Sequence, residues 1–166
     1  MIRKAAKEDL AKIMEIIKAT VEEMKTYGNT QWDESYPQEK DFNRDINSGD
    51  LYVDERDGEV AGFICVNQVE PVEYEELDWS SKEKAMVVHR MAVNPKFRRK
   101  GIASGMMKFA DELANSRGIR CMKTDTYSVN PKMNALFVKC GYKFVGEMSF
   151  LGKEKPFNSY EKFLIK

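Results

Sequence analysis

The feature that most restricts this chain is the run from Met86 to Ser104. An apolar segment, Met86 to Val93, stops at Asn94-Pro95, and a basic, glycine-containing turn then opens a segment with helical spacing. Ile102, Met106, Phe109, Ala110 and Leu113 line one face of that segment, which Gly118 closes. The sequence therefore predicts a buried strand, a turn, and an amphipathic helix packed back on a sheet.

The other periodicities extend the same plan. A short strand over Met1 to Lys4 precedes a helix whose apolar side is Leu10, Ile13, Met14, Ile17, Val21 and Met24, and Gly28 stops that helix. A second short helix is expected from Gln38 to Asn47. Leu51 to Glu55 and Glu59 to Asn67 read as a hairpin around Asp57-Gly58, a dipeptide suited to the positive backbone angles of a tight turn. A strand over Cys121 to Thr126 follows the central helix. Asn130-Pro131 then reads as the cap and first turn of another helix bearing Met133, Leu136, Phe137 and Cys140. Tyr142 to Phe150 and Phe157 to Ile165 finish as strands. The segments Asn29 to Pro37 and Val69 to Lys84 show no period and are expected as loops. The order is strand, two helices, three strands, helix, strand, helix, two strands, which calls for one mixed sheet flanked by helices in a single domain spanning residues 1–166.

Composition narrows the function. With 27 basic and 27 acidic residues, no global field draws the chain to nucleic acid or to anionic lipid. No apolar run approaches the roughly 20 residues of a membrane span, so the expected compartment is the cytosol. Cys65, Cys121 and Cys140 lack C-x-x-C spacing and suit reduced, mostly buried thiols. His89 is the one histidine, which excludes a multi-histidine metal site.

The basic turn carries the clearest chemistry. A helix start offers backbone N–H groups without partners and a partial positive charge, a good seat for phosphate if side chains leave the approach open. Gly101, Ala103 and Gly105 keep it open, and Arg98, Arg99 and Lys100 add charge. Neither G-x-x-x-x-G-K-[ST] nor a dinucleotide G-x-G-x-x-G is present.

Arg98 to Ala103 instead matches R-x-x-G-x-[GA]. With Met91-Ala92-Val93-Asn94-Pro95 before it and Asn130 and Phe137 to Tyr142 downstream, nearly the whole chain resembles the GNAT superfamily of N-acetyltransferases. The resemblance implies an α/β (α+β) fold. Its mixed, mostly antiparallel sheet of about seven strands would be splayed at a coenzyme A site and flanked by four helices. It also implies acetyl-CoA as co-substrate with no metal. Backbone groups of Met91, Ala92 and Val93 would pair with the pantetheine arm, and backbone N–H groups of the Arg98, Arg99, Lys100, Gly101, Ile102, Ala103 and Ser104 turn would meet the pyrophosphate. Asn130 would contact the cofactor, and its capping role is an equal alternative. Phe137 would also lie on the cofactor side.

Direct acetyl transfer needs an uncharged amine, a stabilised oxyanion and a proton for the thiolate. His89 and Asp125 are the candidates to take the amine proton, with a sheet-bound structural histidine and a solvated strand-end acid as the plain alternatives. The family's frequent tyrosine acid aligns with Phe137, which has no transferable proton, so Tyr127 or Tyr142 could substitute, packing being the better-suited role of Tyr142, or the thiolate could take its proton from water or the incoming ammonium. Trp32, Tyr36 and Tyr74 could enclose an amine cation, or simply pack the domain. The expected acceptor is a primary amine on a small molecule or peptide. A coenzyme A-binding sensor without turnover is the alternative, motivated by Phe137. Pairing of relatives through sheet edges makes a homodimer compatible with the chain.

Overall fold

The computed structural model describes residues 1–165 and carries the expected order of elements. These are β1 (Ile2–Lys4), α1 (Leu10–Thr26), α2 (Glu39–Asn47), β2 (Leu51–Arg56), β3 (Glu59–Asn67), β4 (Ala85–Val93), α3 (Ile102–Ser116), β5 (Cys121–Tyr127), α4 (Pro131–Lys139), β6 (Lys143–Met148) and β7 (Phe157–Phe163). The strands form one seven-stranded sheet in the order β1-β2-β3-β4-β5-β7-β6. Pairing is antiparallel for β1–β2, β2–β3, β5–β7 and β6–β7 and parallel for β4–β5.

The β4–β5 ladder runs from Ala85↔Cys121 to Val88↔Thr124, whereas β5 stays paired with β7 as far as Tyr127↔Phe157. The later residues of β4 thus leave the β5 ladder, which is the open sheet the resemblance implies. Departures from the sequence reading are small and local. The segment Val69 to Lys84, expected as a loop, contains a 3-10 helix over Val72–Glu76, and the last two strands are shorter than predicted.

The chain divides into two compact units, Met1–Val66 with Arg90–Phe109, and Asn67–His89 with Ala110–Lys166. In the first, Ile13, Ile16, Ile17, Val21 and Met24 of α1 bury the predicted stripe against Phe42, Leu51, Val53, Phe63 and Cys65. Trp32 belongs to this core at 6% exposure, in keeping with the packing alternative: the indole fills the space beside α1. In the second unit Tyr74, Val87, Tyr127, Met148 and Phe157 form a separate cluster, with Leu77, Trp79, Val129 and Phe150 around it.

Gly62 of β3 shows how closely the first unit packs. A Cβ built there would lie 2.9 Å from Ala92 O, 3.0 Å from Met106 Cε and 3.1 Å from Ile102 Cγ2. The glycine lets β4 and the start of α3 approach β3. Gly62→Ala is expected to lower stability by about 1–3 kcal/mol in chemical denaturation, because the close backbone oxygen cannot yield as a side chain would.

Candidate active site

In the first unit the end of β4 is fixed by Asn94. Its N–H donates to Ala61 O at 2.8 Å, its Nδ2 donates to Val60 O at 3.1 Å, and its Oδ1 accepts from Lys96 N–H at 3.1 Å. Pro95–Phe97 make one 3-10 turn, and Phe97 is buried beneath it. The backbone then passes through left-handed conformations at Arg99 (φ 61°) and Gly101 (φ 74°) before α3 begins at Ile102. A left-handed residue costs little only at glycine, so Gly101 sets where the helix can start.

The mouth of the turn is open. Nothing lies within 4 Å of a Cβ built at Gly101 or Gly105, and Arg99, Lys100 and Gly101 are exposed, while Ala103 and Ser104 are half-buried and Ile102 points into the core. Gly105 N–H donates to Gly101 O at 2.9 Å, so the N–H groups just before it belong to the unpaired first turn of the helix. Arg98 is ion-paired with Glu23 of α1, and Lys100 Nζ lies 5.6 Å from the Phe97 ring centroid. These residues fit a pyrophosphate: N–H donors, exposed cations and no side chain in the way. Met91 and Ala92 are buried and Val93 is half-buried on the strand leading in.

The same unit holds an ion pair that the sequence does not reveal. Arg90 of β4 donates to both carboxyl oxygens of Asp45 at 2.9 and 2.7 Å and to the Tyr36 hydroxyl at 2.7 Å. Burial pushes the Asp45 carboxyl and the Tyr36 phenol up, and it carries the Cys65 thiol beside them to about 12, which leaves that thiol protonated. Tyr36 is thus half-buried and tied to β4.

The second unit gathers the titratable candidates. His89 Nε2 lies 2.6 Å from Asn67 Oδ1. Asp125 Oδ2 accepts from the Tyr74 hydroxyl at 2.6 Å. Asp125 is half-buried, and desolvation raises its carboxyl from 3.8 to about 6 against the opposing pull of the Tyr74 hydrogen bond. Tyr74 is 1% exposed and its phenol is raised well above its ordinary value by burial and then by the Asp125 charge. The Tyr74 ring lies in the core, in keeping with the packing alternative, and its hydroxyl reaches Asp125.

The acidic segment around Tyr74 is a strap. Lys123 of β5, nearly buried, donates to Glu70 Oε1 at 2.6 Å and sits 4.4 Å from the Trp79 ring centroid. Trp79 Nε1 donates to Tyr74 O at 2.7 Å, and Ser80 donates to Glu161 of β7 through its N–H at 3.0 Å and through its hydroxyl.

Tyr127 is 2% exposed and its hydroxyl accepts from Lys155 N–H at 3.0 Å. Asn130 caps α4 by accepting from Met133 N–H at 3.2 Å. Phe137 is buried between Tyr142 and Tyr160, at 5.9 and 5.5 Å between centroids. Tyr142 is buried as well, its hydroxyl without a hydrogen bond, consistent with packing. One organiser gave no sequence signal: Asn134 accepts from Tyr160 and Asn158 and donates to Tyr127 O and Asn130 O, locking α4 to the end of β5.

Among the described residues no cluster of three or more His, Cys, Asp or Glu side chains is placed to hold a metal ion, and no helix is long and apolar enough to cross a membrane.

A family model described as "Acetyltransferase (GNAT) family" matches residues 14–142. A solved structure from Staphylococcus aureus Mu50 assigned as an acetyltransferase is 30% identical, with 99% of each chain covered and a TM-score of 0.80. A GNAT-family acetyltransferase structure from Streptococcus agalactiae 2603 is 25% identical, covering 100% of this chain and 96% of that one at a TM-score of 0.88. A curated relative from Xenopus tropicalis, described as "Probable N-acetyltransferase 14", is 30% identical over 76 residues, which is 46% of this chain and 37% of the relative. The match thus spans little more than a third of that relative's length.

Asp125 leads to a stability prediction. Between its unfolded value of 3.8 and its folded value of about 6, the folded chain holds a proton that the unfolded chain has released. Its contribution to stability is full below that window and is lost as pH rises through it. Denaturation curves collected from pH 4 to pH 7 should therefore show a flatter loss of stability with rising pH in Asp125→Asn than in the wild type.

Proposed function

Because the chain belongs to the acetyltransferase (GNAT) family, we propose that it transfers the acetyl group of acetyl-CoA to a primary amine of a small molecule or peptide. The transfer is direct, with no covalent enzyme intermediate. The observation that carries this reading is the open basic turn at the start of α3, whose glycines leave the helix N–H groups accessible to a pyrophosphate. Met91, Ala92 and Val93 would offer the backbone of a strand end to the pantetheine arm. Asn130 and Phe137 stay in the proposed cofactor set on the resemblance alone, since the observed bond of Asn130 is a helix cap and Phe137 is a core ring.

In this reading Asp125 takes the proton that the amine nitrogen sheds as it bonds to the thioester carbonyl carbon. The carbon–sulfur bond then breaks, and the thiolate leaves and is protonated. A carboxyl held near 6 is mostly ionised at neutral pH yet more basic than an ordinary aspartate, which supports Asp125 over a solvated strand-end acid. His89, engaged with Asn67, is the second candidate base, and Tyr127 is the candidate donor to the thiolate. Tyr36, half-buried, is the aromatic candidate to meet the acceptor cation, since Trp32 and Tyr74 are buried. We read residues 1–166 as one acyltransferase domain, since the family match extends through parts of both compact units. Free thiols at Cys65, Cys121 and Cys140 support a reducing, cytosolic setting.

Thiol release from acetyl-CoA across a panel of amines tests the activity. Release with at least one amine class is the expected result. Thermal protection by acetyl-CoA with no release across the panel would leave a binding protein without turnover, and neither protection nor release would remove both readings. Gly101→Glu places bulk and negative charge at the turn and is expected to weaken acetyl-CoA binding by about tenfold or more in calorimetric titration, with the fold intact.

A further inference from the structure

Among the described residues, one side chain holds Asp125. Tyr74 donates to Oδ2, while Oδ1 accepts no hydrogen bond from any described residue. Its cross-strand neighbour on β7 is Ser159, which shares its face of the sheet, yet the fully buried Ser159 hydroxyl has no hydrogen-bond partner. The serine therefore does not steady the carboxylate, and one oxygen is left to meet a proton donor from outside the protein.

Tyr74 itself has almost no freedom. Its ring is fully buried among Val87, Tyr127, Met148 and Phe157, in tilted contact with Trp79 at 4.9 Å between centroids, and its carbonyl oxygen accepts from the Trp79 indole. Trp79 is in turn pinned by Lys123, which also holds Glu70, and the strap is fastened beyond it by Ser80 to Glu161. So many fixings on one short segment are more than a surface loop needs, and they converge on the direction of one hydroxyl.

We propose that Tyr74 is a positioning residue for acetyl transfer: its strapped hydroxyl orients Asp125 so that Oδ1 faces the amine and keeps the carboxylate ionised. This rests on Asp125 being the base. A hydrogen bond to the ionised form stabilises it, so removing the bond raises the pH at which the base is lost. The titratable and charged groups on the surrounding elements include Glu73 beside Tyr74, Glu70 of the strap, Lys123 and Tyr127 on β5, Tyr142 before β6, Glu161 on β7 and His89 on β4. Of these, Glu73 pushes the Asp125 carboxyl up, so it works against Tyr74.

The test is the pH profile of kcat/KM for wild type, Tyr74→Phe and Asp125→Asn, with acetyl-CoA binding measured alongside. Tyr74→Phe is expected to move the acid limb to higher pH, lowering kcat/KM about tenfold near pH 6 and about threefold or less near pH 8, with acetyl-CoA affinity unchanged. Asp125→Asn should remove the limb. If the limb is lost in Asp125→Asn but unmoved in Tyr74→Phe, the inference is overturned and the base assignment stands. If the limb persists in Asp125→Asn, the base assignment itself fails, and the inference with it. Should Tyr74→Phe not fold, the Tyr74 hydroxyl proton resonance of the wild type carries the test: it should titrate with the midpoint of the acid limb, and a resonance indifferent to pH would overturn the proposal.

Discussion

The bonds that Asn94 makes where β4 ends are the constraint on which the first unit's chemistry depends. A strand that ran on would cover the start of α3, and a looser turn would let the helix begin anywhere. Asn94 prevents both by bonding back to Val60 and Ala61 of β3 while capping the short turn that follows. Gly62, next along β3, gives α3 room to settle over the sheet. Arg99 and Gly101 then take left-handed conformations before α3 begins, and nothing stands within 4 Å of where a Cβ at Gly101 would lie. The open start of α3 is a consequence of how the strand is stopped, and the nearby cations add charge to what the backbone already offers.

The second unit uses charge for a different purpose. A run of glutamates between aromatics suggests a lure for a cation, and some of those carboxylates remain exposed. Yet Glu70 is spent on a buried lysine, and the opposite strand supplies Glu161 to hold the run's far end. A buried ammonium with a single carboxylate partner and an aromatic face is costly to desolvate, and such a group is retained where it fixes geometry. What it fixes is the Tyr74–Asp125 pair, in which burial raises both groups and the proton stays on the phenol. The first unit makes comparable use of Arg90, whose fork ties Asp45 and Tyr36 to β4.

The element order was legible because each helix carries a stripe and each strand a compact apolar run, and the turn was legible because glycine and proline act locally. The aromatics were not. Trp32, Tyr36, Tyr74 and Trp79 sit in segments without a period, where a ring that plugs a core and a ring that greets a substrate have the same neighbours in sequence. Their places are set by single long-range partners: Asp125 lies 51 residues from Tyr74, and Asp45 lies 45 residues from Arg90. Asn134 was invisible for the same reason, since its four hydrogen bonds gather groups from β5, β7 and its own helix cap. Phe137 could be read as lacking a proton, but that its ring would be enclosed by Tyr142 and Tyr160 required the packed structure.

Acetyl-CoA held, as proposed, by the strand end and helix start on either side of Asn94 would register in the backbone amides there. Titrating isotopically labelled protein with acetyl-CoA and following backbone amide resonances tests it most directly. The largest shifts are expected on Met91 to Val93 and on Gly101 to Ser104, saturating together with one dissociation constant. Saturable binding that moves other amides and leaves those unmoved would contradict it.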